Sequence, residues 1–104
     1  MAKPEFRLSE TDEFRLVEVE IPGGVCTPAE AAEAVEETAD RLPGQEAVLI
    51  NGRMPIWLAG MLVHAAHAAP AVATFDPRLG GYVIVASHTN KYGLGDVIAG
   101  PTEG

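Results

Sequence analysis

The sequence predicts a single α/β domain, residues 1–104, built on one sheet in the order β-β-α-β-α-β-β. Three observations carry this. From Phe14 to Ile21, Val17, Val19 and Ile21 alternate with Glu18 and Glu20, the period of a half-exposed strand. Ala47-Val48-Leu49-Ile50 is apolar throughout, as a strand covered on both faces should be, and stands between two stretches of helical spacing. Ala71–Phe75 and Tyr82–Ser87 bracket Asp76-Pro77-Arg78-Leu79-Gly80-Gly81, which reads as the turn of an antiparallel pair.

The elements follow in order. Glu5 to Ser9 alternates weakly, with Phe6 and Leu8 on one face, and pairs with the next strand across Glu10-Thr11-Asp12-Glu13. Pro22-Gly23-Gly24 breaks that hairpin. Thr27-Pro28-Ala29-Glu30 is a helix start: Thr27 caps, Pro28 fits the first helical position and Glu30 completes a capping box. Ala31, Ala32, Val35, Ala39 and Leu42 recur at helical spacing, opposite a solvated acidic face of Glu33, Glu36, Glu37 and Asp40. Pro43-Gly44 ends this helix. Asn51-Gly52-Arg53-Met54 breaks the third strand, and Pro55 opens a second helix that runs to about Ala68, before Pro70 forces an exit. Thr89 to Gly95 is a polar loop, Asp96-Val97-Ile98 reads as a last short strand, and residues 100–104 read as a frayed tail.

Composition limits what such a domain does. A formal charge of −8 argues against coating long nucleic acid through a broad basic surface. The excess of carboxylates lies wholly before Ala47. From there on, Arg53, Arg78 and Lys91 balance Asp76, Asp96 and Glu103, so a local basic pocket for a small anion stays open. No apolar run is long enough to span a bilayer, the N-terminus lacks the apolar core of a signal peptide, and Cys26 has no second cysteine to bridge to. A cytoplasmic setting is expected.

The chemistry-bearing residues concentrate between Asn51 and His88. In the turn Asn51-Gly52-Arg53-Met54-Pro55, Gly52 permits close backbone approach, Arg53 offers a bidentate grip on phosphate, and a helix N-terminus favours an anion. The alternative is a plain connecting loop with a surface arginine. His64 and His67, at i and i+3, fall on neighbouring positions of one helix face and suit a metal or a phosphate; His64 also reads as a hydrogen-bonded core histidine. Asp76 is a hard oxygen ligand for Mn²⁺ or Mg²⁺, and with His64 and His67 it makes a workable open metal site. Arg78 could stabilise charge developing on a phosphate, or form a surface pair with Asp76. His88 and Lys91 are weaker candidates, His88 as a further ligand or a general acid.

Gly52-Arg53-x-Pro55-x-Trp57, Leu62-Val63-His64-x-x-His67, Phe75-Asp76-Pro77-Arg78-Leu79-Gly80 and Ser87-His88 through Gly95-Asp96 together resemble the small stand-alone ring nucleases of type III CRISPR systems. The resemblance is close over residues 47–98 and architectural before them. It implies a Rossmann-like domain of the CARF (CRISPR-associated Rossmann-fold) kind, a homodimer, and a tetramer in which two dimers sandwich cyclic tetra-adenylate. It also implies Mn²⁺-dependent cleavage of that second messenger, which switches off antiviral signalling, and activity on short linear A-rich RNA. By position, His64, His67 and Asp76 correspond to metal or catalytic residues, and Arg78 to a catalytic or phosphate-contacting arginine. Asn51, Gly52, Arg53 and Pro55 correspond to the ligand cradle, and His88 is counted as a further ligand-binding residue. The nucleophile is either the ribose 2′-hydroxyl or a metal-bound water. A sensor that binds the cyclic ligand without cutting it, a 3′ exonuclease on linear RNA and a structural partner of a CRISPR complex are the rival expectations.

Overall fold

The computed structural model describes residues 1–101. A single six-stranded mixed sheet carries two helices. Strands β1 (Glu5–Glu10) and β2 (Phe14–Glu20) form the predicted antiparallel hairpin, with Phe6 opposite Val19 and Leu8 opposite Val17. Helix α1 (Pro28–Thr38) leads to β3 (Ala47–Asn51), and helix α2 (Ile56–Ala65) to β4 (Ala71–Asp76). Strands β2, β3 and β4 run parallel. β5 (Gly81–Ser87) returns antiparallel to β4, and β6 (Val97–Ile98) closes the edge as a sixth strand.

Alternation along the strands separates two cores. Val17, Val19, Val48, Ile50 and Val72 face the helices and pack with Val35, Leu58 and Leu62. Leu16, Leu49, Ala73, Tyr82 and Ile84 face the other way, into a smaller cluster edged by Phe14, Tyr92 and Ile98. Among the described residues, no helix contributes to this second cluster. The chain after β6 crosses it instead, bringing Gly100 so close that a Cβ there would stand 2.3 Å from the Tyr82 ring. Gly100 is therefore packed rather than frayed, Pro101 is partly buried, and residues 102–104 of the expected tail lie outside the described residues.

Helix α1 begins as its sequence dictates. The Thr27 hydroxyl accepts from the Glu30 N–H at 3.1 Å, and the Glu30 carboxylate accepts from the Thr27 N–H at 2.8 Å. The Lys3 ammonium straps the N-terminal segment onto this helix at 3.0 Å from Glu37 and 3.2 Å from Glu33, and these hydrogen bonds raise its pKa above the ordinary lysine value.

Helix α2 is shorter than its spacing suggests. It ends at Ala65, and the His67 N–H donates to the His64 carbonyl in a tighter turn at 3.2 Å. Ala66 and Ala69 are buried, which draws the chain under the helix toward Pro70 and β4 before the helical repeat is complete. No helix among the described residues is long and apolar enough to cross a membrane.

Candidate functional site

Two groups of polar residues stand at opposite ends of the sheet. At the carboxyl ends of the parallel strands lie the β3–α2 and β4–β5 turns. Asn51 is the last residue of β3, abreast of Glu18 on β2. Gly52 continues past Val19 with φ +145°, and a Cβ there would stand 2.4 Å from the Val19 carbonyl oxygen. Glycine is thus required, and it holds Arg53 at the mouth of an open cleft of about 540 Å³ bounded by Glu20, Ile21, Gly24, Met54 and Pro55. Arg53 is exposed and has no ion pair or hydrogen bond among the described residues. Pro55 caps α2 without any side-chain hydrogen bond, so the helix start keeps its N–H groups for an anion.

Asp76 ends β4 one strand away. Its Oδ1 accepts from the backbone N–H of Arg78 at 2.8 Å and of Leu79 at 3.2 Å, which shapes the turn, and Gly80 completes it at φ +67°. The Arg78 side chain is 92% exposed, with Nε 4.0 Å from Asp76 Oδ1. Such a solvent-facing pair is worth little to stability and leaves the guanidinium free for a ligand.

The histidines gather at the other end. The His64 and His67 rings stack with centroids 5.5 Å apart and planes 16° from parallel. His67 Nδ1 lies 2.8 Å from the His64 carbonyl oxygen, so Nδ1 donates there, and Nε2 has no partner among the described residues. His88 Nε2 donates to the His67 carbonyl oxygen at 3.0 Å, and its backbone N–H donates to that of Pro70 at 2.8 Å. His88 thus stands with His64 and His67, at the end of the sheet away from the Asn51–Pro55 turn.

The expected metal set is not assembled within one chain. Helix α2 runs back against the parallel strands, so its final turn lies beside the start of β4, whereas Asp76 is the last residue of β4. Among the described residues, no three imidazole, thiol or carboxylate groups gather to hold a metal ion. An open apolar groove of about 500 Å³, lined by Ile56, Gly60, Val63, Thr74 and Val85, runs along α2 from its first residue to His64 and His67. Ile56 on its rim is 87% exposed. Sequence reasoning passed over this groove because Ile56 and Val85 look like ordinary core residues in their segments.

Fold and site together define a small α/β domain with exposed arginines on the turns at the carboxyl ends of its parallel strands and a histidine group at the other end. A family described as CRISPR-associated protein (Cas_csx3) matches residues 30–99, and the chain belongs to that family. It is also similar to an uncharacterized protein of Aquifex aeolicus (strain VF5), 49% identical over 51 residues, or 49% of this chain and 46% of that protein. The alignment spans about half the length of each.

Proposed function

We propose that this protein is a ring nuclease: a homo-oligomeric, Mn²⁺-dependent phosphodiesterase that binds cyclic tetra-adenylate and opens it. Membership of a CRISPR-associated family supports the setting. The observation that carries the ligand class is the exposed Arg53, unpaired among the described residues, beside the uncapped start of α2, with the exposed Arg78 on the adjacent turn. These are donors for phosphate. A cyclic ligand with repeated phosphates suits symmetric copies of one such site.

The separation of His67 from Asp76 directs the chemistry to a boundary between copies. In a tetramer that sandwiches its ligand, the histidine end of one protomer meets the Asp76–Arg78 turn of another. The donor atoms fit this arrangement. His67 has Nε2 free because Nδ1 is spent on the His64 carbonyl, and Asp76 has Oδ2 free because Oδ1 is spent on its turn. His64, His67 and Asp76 would hold Mn²⁺ there; Mg²⁺ suits the carboxylate but not the imidazoles as well. When bound, the ion supplies positive charge against the scissile phosphate. Arg78 neutralises charge on the non-bridging oxygens.

Mixing tests this reading. Asp76→Ala and His67→Ala homomers should each fail to cleave cyclic tetra-adenylate in the presence of Mn²⁺. After subunit exchange, a mixture of the two should regain cleavage, because intact histidines from one chain meet an intact Asp76 from the other. Exchanged but inactive mixtures would exclude a site built between copies. The same separation of residues favours a second reading, a binding module that captures the cyclic ligand and releases it unchanged. Intact ligand recovered from wild-type protein with Mn²⁺ would establish that one.

A further inference from the structure

The open face of the sheet carries a feature that phosphate binding does not use. Ile50 pairs with Thr74 across β3 and β4, which sets the next residues, Asn51 and Phe75, abreast of each other. Both belong to the face to which no helix among the described residues contributes. Asn51 alternates with Leu49 of the open-face cluster, and Phe75 lies opposite Tyr82 of the same cluster. The Phe75 ring is held edge-on to that of Tyr82, with centroids 5.2 Å apart and planes at 61°, yet it remains 37% exposed. The Asn51 carboxamide is half-buried and finds no hydrogen-bond partner among the described residues.

A fixed, exposed aromatic ring beside an unspent carboxamide is the chemistry that reads a nucleobase. The ring offers a stacking surface for any base. The carboxamide offers one acceptor and one donor side by side, which complements the amino group and ring nitrogen on one edge of adenine. The placement also matches a nucleotide's length. Asn51 adjoins Arg53 in the β3–α2 turn, and Phe75 adjoins Asp76 in the β4–β5 turn. A phosphate held at these turns leaves its base over the end of the open face. We propose that Phe75 stacks on, and Asn51 reads, the adenine of a bound adenylate unit, an inference that rests on the adenylate reading of the site.

The test uses adenosine 5′-monophosphate and purine riboside 5′-monophosphate, which differ by the adenine amino group. Binding to the full-length protein is followed by NMR titration into the millimolar range. The adenine nucleotide should shift the Asn51 side-chain amide and the Phe75 ring signals. Loss of the amino group should weaken binding about fivefold in wild type and by less than a factor of two in Asn51→Ala. Phe75→Leu should weaken both nucleotides about tenfold while leaving ribose 5-phosphate unchanged. No shift at Asn51 or Phe75, or equal discrimination in wild type and Asn51→Ala, would overturn the inference. Cyclic tetra-adenylate separates this from the larger reading. Undiminished binding and cleavage in both variants refutes the base contacts and spares the ring nuclease. Mononucleotide binding at Asn51 and Phe75 with no cleavage by wild type refutes the nuclease and spares the base contacts.

Discussion

Gly52→Ala is the substitution that most directly probes how the cradle is built. The backbone there has φ +145°, and the new methyl group would stand 2.4 Å from the Val19 carbonyl oxygen and 2.9 Å from Val19 Cβ. Both are atoms of Val19, which pairs with Phe6 within the sheet, so neither is the movable end of a side chain. Backbone strain costs about 2 kcal/mol and overpacking about 2 kcal/mol more, less about 0.7 kcal/mol for the stiffer unfolded chain, leaving a loss of about 3 kcal/mol. Gly80→Ala is the control. Its φ is +67°, but nothing lies within 4 Å of the new methyl, so strain alone should cost about 1 kcal/mol. Urea denaturation followed by Trp57 fluorescence, at one fixed protein concentration, gives both values. Gly52→Ala should also lower Tm by roughly 15 °C and weaken cyclic tetra-adenylate binding where it remains folded, since Arg53 follows the displaced turn. Equal stabilities for the two variants would show that β2 does not press on the turn, and the account of the cradle would fail.

Three further outcomes are expected. Arg53→Ala should weaken cyclic tetra-adenylate binding about tenfold to a hundredfold, measured by calorimetry, through loss of a charge-assisted phosphate contact; normal affinity with lost cleavage would reverse its role. Chelation should stop cleavage and added Mn²⁺ restore it, read by chromatography of the products, and activity persisting in chelator would remove the metal from the scheme. Thr27→Ala should cost about 1 kcal/mol in the same urea assay through loss of the capping box, with ligand affinity unchanged.

What the residues revealed in advance follows from the range over which their forces act. The Thr27–Glu30 box, the breaks at Pro22-Gly23-Gly24 and Asn51–Pro55, and the alternation of β2 depend on neighbours a few positions away, so they are legible along the chain. The end of α2 was not. Two alanines decide it by being buried beneath the helix, and alanine gives little periodic signal. The distance of His88 from His64 and His67 was not legible in the same way. It depends on which end of β5 meets which end of β4, and the antiparallel return sets that over many residues. The separation of Asp76 from the histidines followed from the direction of α2 relative to β4. A helix connecting parallel strands must run back along the sheet, so that constraint was available in the order of elements itself.

The six strands stand side by side in the order in which they occur along the chain. Each new strand therefore adds to an edge that earlier residues have already completed, and no pairing waits for a segment still to come. The two hairpins close over short turns, whereas the parallel pairs β2–β3 and β3–β4 each wait for a helix to form between them, and such non-local pairing is the slow part of folding. Such a polypeptide can assemble progressively as it leaves the ribosome, each strand docking on the one before it.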